Sequence, residues 1–247
     1  MQLPAAAAMF LLLAGCSGSQ ATAPTPPVGA PAVRVLMLTA TAGFRHDSIA
    51  AARQTMTTLG ATTGEFTVTA TEDLAALSSA NLASYDVLFF ALTSGELPLG
   101  EQQRAAVLAF VSGGKGFLGA HSAADTLYGW PEYGHIVGAY FKEHPWTGPA
   151  SVVVEDGSHP ATAGLGERFT VSEEFYIFRE NPRPTVQVLL RLDAPSVGAS
   201  GDYPLAWAHA VGDGRAYYNA LGHFAETWRD ERFQRQLAGA IRWAAQR

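Results

Sequence analysis

Two short runs with almost no polar side chains constrain this chain more than anything else in it: Val33-Arg34-Val35-Leu36-Met37-Leu38-Thr39 and Asp86-Val87-Leu88-Phe89-Phe90-Ala91. A half-exposed strand alternates apolar and polar residues. A run apolar at consecutive positions belongs to a strand covered on both faces, as in a parallel sheet between helices. A loop with Gly43 follows the first run, and Asp47-Ser48 offers a helix cap. Helical spacing then continues to about Leu59, where Gly60 is expected to stop it. Glu65 to Ala70 reads as a second strand, Leu99 to Val111 as a helix closed by Ser112-Gly113-Gly114, and Phe117 to Ala120 as a fourth strand. This alternation predicts right-handed βαβ units, hence an α/β fold with a doubly wound, mostly parallel sheet.

The C-terminal half adds extra strands: Ser151 to Glu155, Phe169 to Val171, Val186 to Leu192, Leu205 to Ala210 and Arg215 to Asn219. Gly212-Asp213-Gly214 predicts a hairpin between the last two. Glu231 to Ala245 reads as a terminal amphipathic helix with Phe233, Leu237, Ile241 and Trp243 on its apolar side. No internal repeat and no second boundary interrupts residues 33–247, which are expected to form one domain.

The first residues are expected to stay outside that fold. Met9 to Ala14 is apolar but too short to span a bilayer, and Leu13-Ala14-Gly15-Cys16 resembles the lipobox of bacterial lipoproteins. The only cysteine stands where the lipobox requires one. Residues 1–15 therefore read as a lipoprotein signal peptide, Cys16 as the lipidation site, and residues 16–32, rich in Ala, Thr and Pro, as a tether. A cell-envelope location with a lipid anchor follows as an expectation. A single cysteine excludes an intramolecular disulfide. A net charge of −6 without Lys/Arg clusters argues against nucleic acid as a partner.

Chemistry concentrates where strands end. Gly113-Gly114-Lys115-Gly116-Phe117-Leu118-Gly119-Ala120-His121 runs a short strand into a histidine followed by small residues. Such a junction lies at the carboxyl edge of a sheet, where ligands bind. Hydrolases of the elbow type place Ser or Cys there; this chain places His121. Parallel topology should bring the loops after strands one, three and four together, gathering His46, Thr93-Ser94-Gly95-Glu96 and His121, with His223 following the last strand. Glu173 and Glu174 are expected at the end of a strand, one toward the cleft and one toward solvent. A Glu beside a His orients the imidazole and raises its basicity. For each such residue the plain alternative is a capping or surface role. Three other chemistries are weaker. No H-E-x-x-H or short-spaced ligand pair marks a metal site, which leaves a divalent metal open. The Gly-Gly-Lys-Gly run precedes its strand, whereas a phosphate loop follows one. Ser122 lacks a proper elbow context for a nucleophile.

These segments resemble the ThuA-like (trehalose-utilisation) family. The resemblance rests on Gly43-Phe44-Arg45-His46-Asp47-Ser48-Ile49, Gly113 through Asp125, His159-Pro160-Ala161-Thr162 and Glu173-Glu174-Phe175-Tyr176. It extends through Pro204-Leu205-Ala206-Trp207, Gly214-Arg215-Ala216-Tyr217-Tyr218 and Leu221-Gly222-His223 with Glu226. It implies a flavodoxin-like, class I glutamine amidotransferase-like fold with additions. His121 then stands where amidotransferases carry their Cys, and His223 with Glu226 looks like their His/Glu pair. With Cys16 in the signal, thiolate chemistry is unavailable. The resemblance also implies a small-molecule carbohydrate, a disaccharide or keto-glycoside, in company with sugar oxidoreductases. On that basis His121, His223 and Glu174 are expected to be catalytic in acid/base chemistry. His46, Asp125, His144, Tyr176 and Trp207 are expected to bind the sugar, and Phe44, Trp130, Tyr133 and Trp146 also suit stacking. A non-catalytic sugar-binding or scaffold protein and a divalent-metal-dependent hydrolase are the alternatives.

Overall fold

The computed structural model describes Met1 and residues 32–247; the segment expected to be a signal peptide, Cys16 and nearly all of the expected tether lie outside the described residues. β1 (Val33–Leu38), β2 (Phe66–Thr71), β3 (Val87–Ala91) and β4 (Gly116–Ala120) pair in parallel, and β9 (Gly214–Asn219) joins β4 in the same sense. Four further strands, β5 (Phe141–Val154), β6 (Arg168–Phe178), β7 (Gln187–Leu192) and β8 (Pro204–Val211), extend the sheet by antiparallel pairing. The order is β2-β1-β3-β4-β9-β8-β7-β5-β6. Its first five positions follow the doubly wound flavodoxin-like pattern, with β9 taking the fifth place.

β3 and β4 are buried at every position, as their unbroken apolar runs require. One group of helices, α1 (Ile49–Thr63), α5 (Ala225–Arg229) and α6 (Glu231–Ala244), packs together, while α2 (Ser79–Leu82), α3 (Glu101–Ser112) and α4 (Pro131–Val137) form a second group. The core includes Trp207, Trp228, Tyr133, Tyr217 and Tyr218, all fully buried. Each such ring contributes roughly 1.5–3 kcal/mol of burial free energy. No described helix is long and apolar enough to cross a membrane.

Three expectations change. Gly60 does not stop α1; the helix runs on to Thr63 and ends at Gly64, whose φ of 68° suits a glycine cap. Gly60 instead makes room for β2, because a Cβ there would meet the Phe66 carbonyl oxygen at 2.6 Å. α4 is an added element, although Pro131 at its first turn and Gly138 (φ 93°) at its end are the usual punctuation. β5 and β6 are far longer than Ser151–Glu155 and Phe169–Val171. Polar residues of β5, Lys142 to His144 among them, face solvent along a hairpin that pairs mainly with β6, so no apolar alternation reveals it.

At the amino edge of the sheet, Asp86 accepts from the Arg34 backbone N–H (3.0 Å), from Arg34 Nε (3.1 Å) and from Lys115 Nζ (3.0 Å). Burial works against its ionisation, but Arg34 and Lys115 prevail and hold the carboxyl well below its ordinary range. Lys115 is thus committed to Asp86, far from any phosphate role.

α6 meets the segment around Pro160 at Gly239, where an added Cβ would lie 2.0 Å from the Pro160 carbonyl oxygen. Backbone cannot yield as a side chain can. Gly239→Ala is expected to cost roughly 1–3 kcal/mol in urea unfolding. Gly157→Ala, where nothing lies within 4 Å, serves as the control and should shift stability by less than about 0.5 kcal/mol.

Candidate functional site

β4 delivers its last residue, Ala120, into a one-turn 3-10 segment that starts at His121. His121 sits in the left-handed region at φ 50° and is completely buried. A non-glycine residue held there is strained unless its surroundings fix it, and such strain collects at functional sites. Two bonds fix it here. Tyr218 Oη donates to the His121 carbonyl (2.7 Å), and His121 Nδ1 lies 2.8 Å from the Ala220 carbonyl oxygen. A carbonyl only accepts, so Nδ1 carries the proton, and in the neutral ring Nε2 presents a lone pair.

Glu174 and Tyr176, two residues apart on β6, share one strand face, and both reach that nitrogen. Tyr176 Oη donates to His121 Nε2 at 3.0 Å, and Glu174 Oε2 lies 3.5 Å from it. His223, in the turn after β9, brings Nδ1 to 3.1 Å from Glu174 Oε2 and 3.2 Å from His121 Nε2. His144 on β5 approaches Glu174 Oε1 at 3.3 Å and is half-exposed. His46 completes the group from the loop after β1, its ring centroid 4.8 Å from His121 and 5.1 Å from His223. Its Nδ1 lies 3.4 Å from Ser122 Oγ.

The His46 loop is pinned rather than loose. Ala42 N–H donates to the Ser94 carbonyl, and Ser94 Oγ donates to the Phe44 carbonyl at 2.6 Å. Gly95 has to be glycine at this crossing: its φ is 71°, and a Cβ would lie 2.5 Å from Gly43 N. The expected convergence of the loops after β1, β3 and β4 is therefore present.

Electrostatically the group divides. Burial pushes the Glu174 carboxyl up, but the bonds to His121 and His223 outweigh it and the net shift is down. The bond to Glu174 raises His223 despite burial. His46 is lowered to about 3, first by burial and then by the neighbouring His121 and His223, so at neutral pH it is an uncharged ring. Burial drives the Tyr176 hydroxyl well above the usual phenol range, which keeps it a donor. The four residues His46, His121, Glu174 and His223 each offer an electron-pair atom within 4.8 Å of the others, a spacing that could also hold a metal ion.

Several expected residues lie elsewhere. Trp207 is completely buried, donating its indole N–H to the Val137 carbonyl (2.9 Å), so it has no face for a sugar. Tyr133 is equally buried, and Trp130 is stacked on it. Trp146 lies edge-on to Tyr203. Asp125 accepts from Tyr128 Oη at 2.6 Å rather than joining the imidazoles. Glu226 is exposed beside Arg229; the carboxylate that partners His223 is Glu174, which β6 brings in from the other end of the sheet. His159 packs against Trp243. Phe44 stands exposed beside His46, with ring centroids 4.8 Å apart.

Glu173, expected at a strand end with Glu174, lies mid-strand and is fully buried. Its carboxyl oxygens accept from the backbone N–H groups of Gly222 (3.0 Å), His223 (3.2 Å) and Glu174 (3.0 Å), and from Thr227 Oγ1. It holds the turn that carries His223.

A family model described as ThuA, trehalose utilisation, matches residues 34–244. A ThuA-like protein from Bacteroides uniformis has a similar structure: TM-score 0.74 at 24% identity, over 90% of this chain and 95% of that one. A second, from Parabacteroides merdae, gives 0.72 at 19% identity over 87% and 90%. At 12% identity, a Thermoplasma acidophilum protein described as part of a GMP synthase gives 0.54 over 87% and 95%, a likeness of fold alone. No curated protein matches the chain.

Glu173→Ala would strand the backbone N–H donors of Gly222, His223 and Glu174 and the Thr227 hydroxyl. An unpaired buried donor costs about 1–3 kcal/mol, so chemical denaturation should show a loss of at least that size. Glu173→Asp, one methylene too short, should recover only part of it.

Proposed function

The chain belongs to the ThuA, trehalose-utilisation family, and on that premise we propose that it binds a disaccharide or keto-glycoside over the His121–Glu174–His223 cluster and shifts a proton on it. One observation carries the reading: a lone pair, a carboxylate oxygen and an imidazole N–H meet within 3.1–3.5 Å at the carboxyl edge of a parallel sheet. That combination is what proton abstraction beside a ketone requires. A base takes the proton from carbon, the electron pair moves onto the ketone oxygen, and a donor stabilises the resulting oxyanion. His121 Nε2 or Glu174 supplies the base, and His223, held by Glu174, supplies the donor. His144 and Phe44 lie nearer solvent and would meet the rest of the sugar. His46 and Tyr176 line the floor, whereas Asp125 and Trp207 are left without a part.

A substrate that already carries a ketone has to come from an oxidation, so a sugar oxidoreductase is the partner class this chemistry calls for. We also propose that Cys16 carries a lipid and that residues 16–32 tether the domain to the cell envelope; the Leu13-Ala14-Gly15-Cys16 motif supports this.

Glu174→Gln and His223→Asn keep size while removing the carboxylate and the basic ring. Each should lower turnover of a 3-keto-disaccharide by roughly 10²-fold or more while the melting temperature stays close to that of the parent. Unchanged turnover would sink the assignment. Calorimetric binding of the same sugar without any turnover by the parent protein would favour the sugar-binding alternative.

For the anchor, metabolic labelling with a radioactive fatty acid should mark the parent protein in a bacterial host and leave Cys16→Ser unlabelled. Equal labelling of both would remove Cys16 from that role.

A further inference from the structure

Four side chains bring possible ligand atoms to one place. His121 Nδ1 faces the Ala220 carbonyl at 2.8 Å, and its Nε2 lies 3.0 Å from Tyr176 Oη and 3.5 Å from Glu174 Oε2. His223 Nδ1 lies 3.2 Å from His121 Nε2 and 3.1 Å from Glu174 Oε2. His46 adds a buried imidazole whose atoms fall inside the same 4.8 Å.

From this convergence we infer that His46, His121, Glu174 and His223 form a binding site for one divalent transition-metal cation such as zinc, manganese or cobalt. A tetrahedral ion with ligand bonds of about 2.1 Å holds its ligand atoms about 3.4 Å apart. The three contacts among His121, His223 and Glu174, at 3.1, 3.2 and 3.5 Å, bracket that value. Three imidazoles and one carboxylate suit borderline ions rather than calcium or magnesium, which prefer all-oxygen shells. The support around the ligands is of the kind metal sites use. The Ala220 carbonyl sets the His121 tautomer, and Glu173 clamps the backbone of the His223 turn.

The site deepens the proposed function and rests on the same cluster, but not on the identity of the sugar. A bound cation would polarise the ketone oxygen in place of the His223 N–H. Proton transfer would then fall to a group outside the ligand set, and half-exposed His144 is at hand.

The test uses protein made without a polyhistidine tag, stripped with a chelator and titrated with Co²⁺ and then Zn²⁺ in the absence of sugar. We expect visible cobalt absorption that saturates at one ion per chain and is displaced by zinc. Glu174→Gln and His223→Asn should weaken cobalt binding by roughly tenfold or more, with circular dichroism showing a retained fold. Gly157→Ala, outside the cluster, should bind as the parent does. His121→Ala removes a completely buried ring and is informative only if it folds; the two near-isosteric variants keep the test decisive. Absence of cobalt and zinc binding up to millimolar ion, or binding undiminished in the Glu174→Gln/His223→Asn double variant, would overturn the site. Because no sugar is present, such a failure leaves the carbohydrate reading standing. An inert cobalt- or zinc-loaded protein in the sugar assay would instead count against the carbohydrate reading and leave the cation site intact.

Discussion

Glu174 lies on β6, the last strand of the sheet, five positions from β4 in the strand order, yet its carboxylate lies beside the histidine that ends β4. Everything at the site depends on that return. Nine twisted strands do not stay in one plane. β6 accordingly returns to the parallel half, bringing Glu174 and Tyr176 to the residue that follows β4. Tyr176 makes the same journey, so two residues on one strand face meet the same imidazole nitrogen.

The strand then uses both of its faces. Glu174 faces the imidazoles, and Glu173, one residue earlier, turns the other way to hold the backbone of the turn bearing His223. Adjacent carboxyl groups therefore divide the work: one meets the imidazoles, and the other positions the turn that carries His223. The strain at His121 is offset in the same manner, by Tyr218 on its carbonyl and Ala220 on its ring. Bonds of this kind hold the nitrogen and oxygen atoms of the cluster close together.

The pairing of His223 with Glu226 that the resemblance implied is not formed. His121 occupies the turn after β4, but the carboxylate paired with His223 comes from β6 and not from Glu226, which lies exposed beside Arg229. The carboxylate of the cluster thus comes from the added antiparallel strands.

Much of this was legible in the chain. Consecutive apolar residues are required wherever a strand is covered on both faces, so β1, β3 and β4 could be read directly, and their topology brought His46, Ser94 and His121 to one edge. The reach of β6 was not legible, nor the roles of Glu173 and Tyr176, because a curled antiparallel hairpin places residues by long-range twist and not by local periodicity. Trp207 shows the opposite failure: an aromatic that suits a sugar by composition proved completely buried against Tyr218 and Phe178. The sequence by itself determined the parallel half and the three histidines at its carboxyl edge, since burial on two faces and right-handed crossovers leave few arrangements. Only the tertiary structure decided which carboxylate meets them, because that choice is made by the path of the sheet and not by any motif.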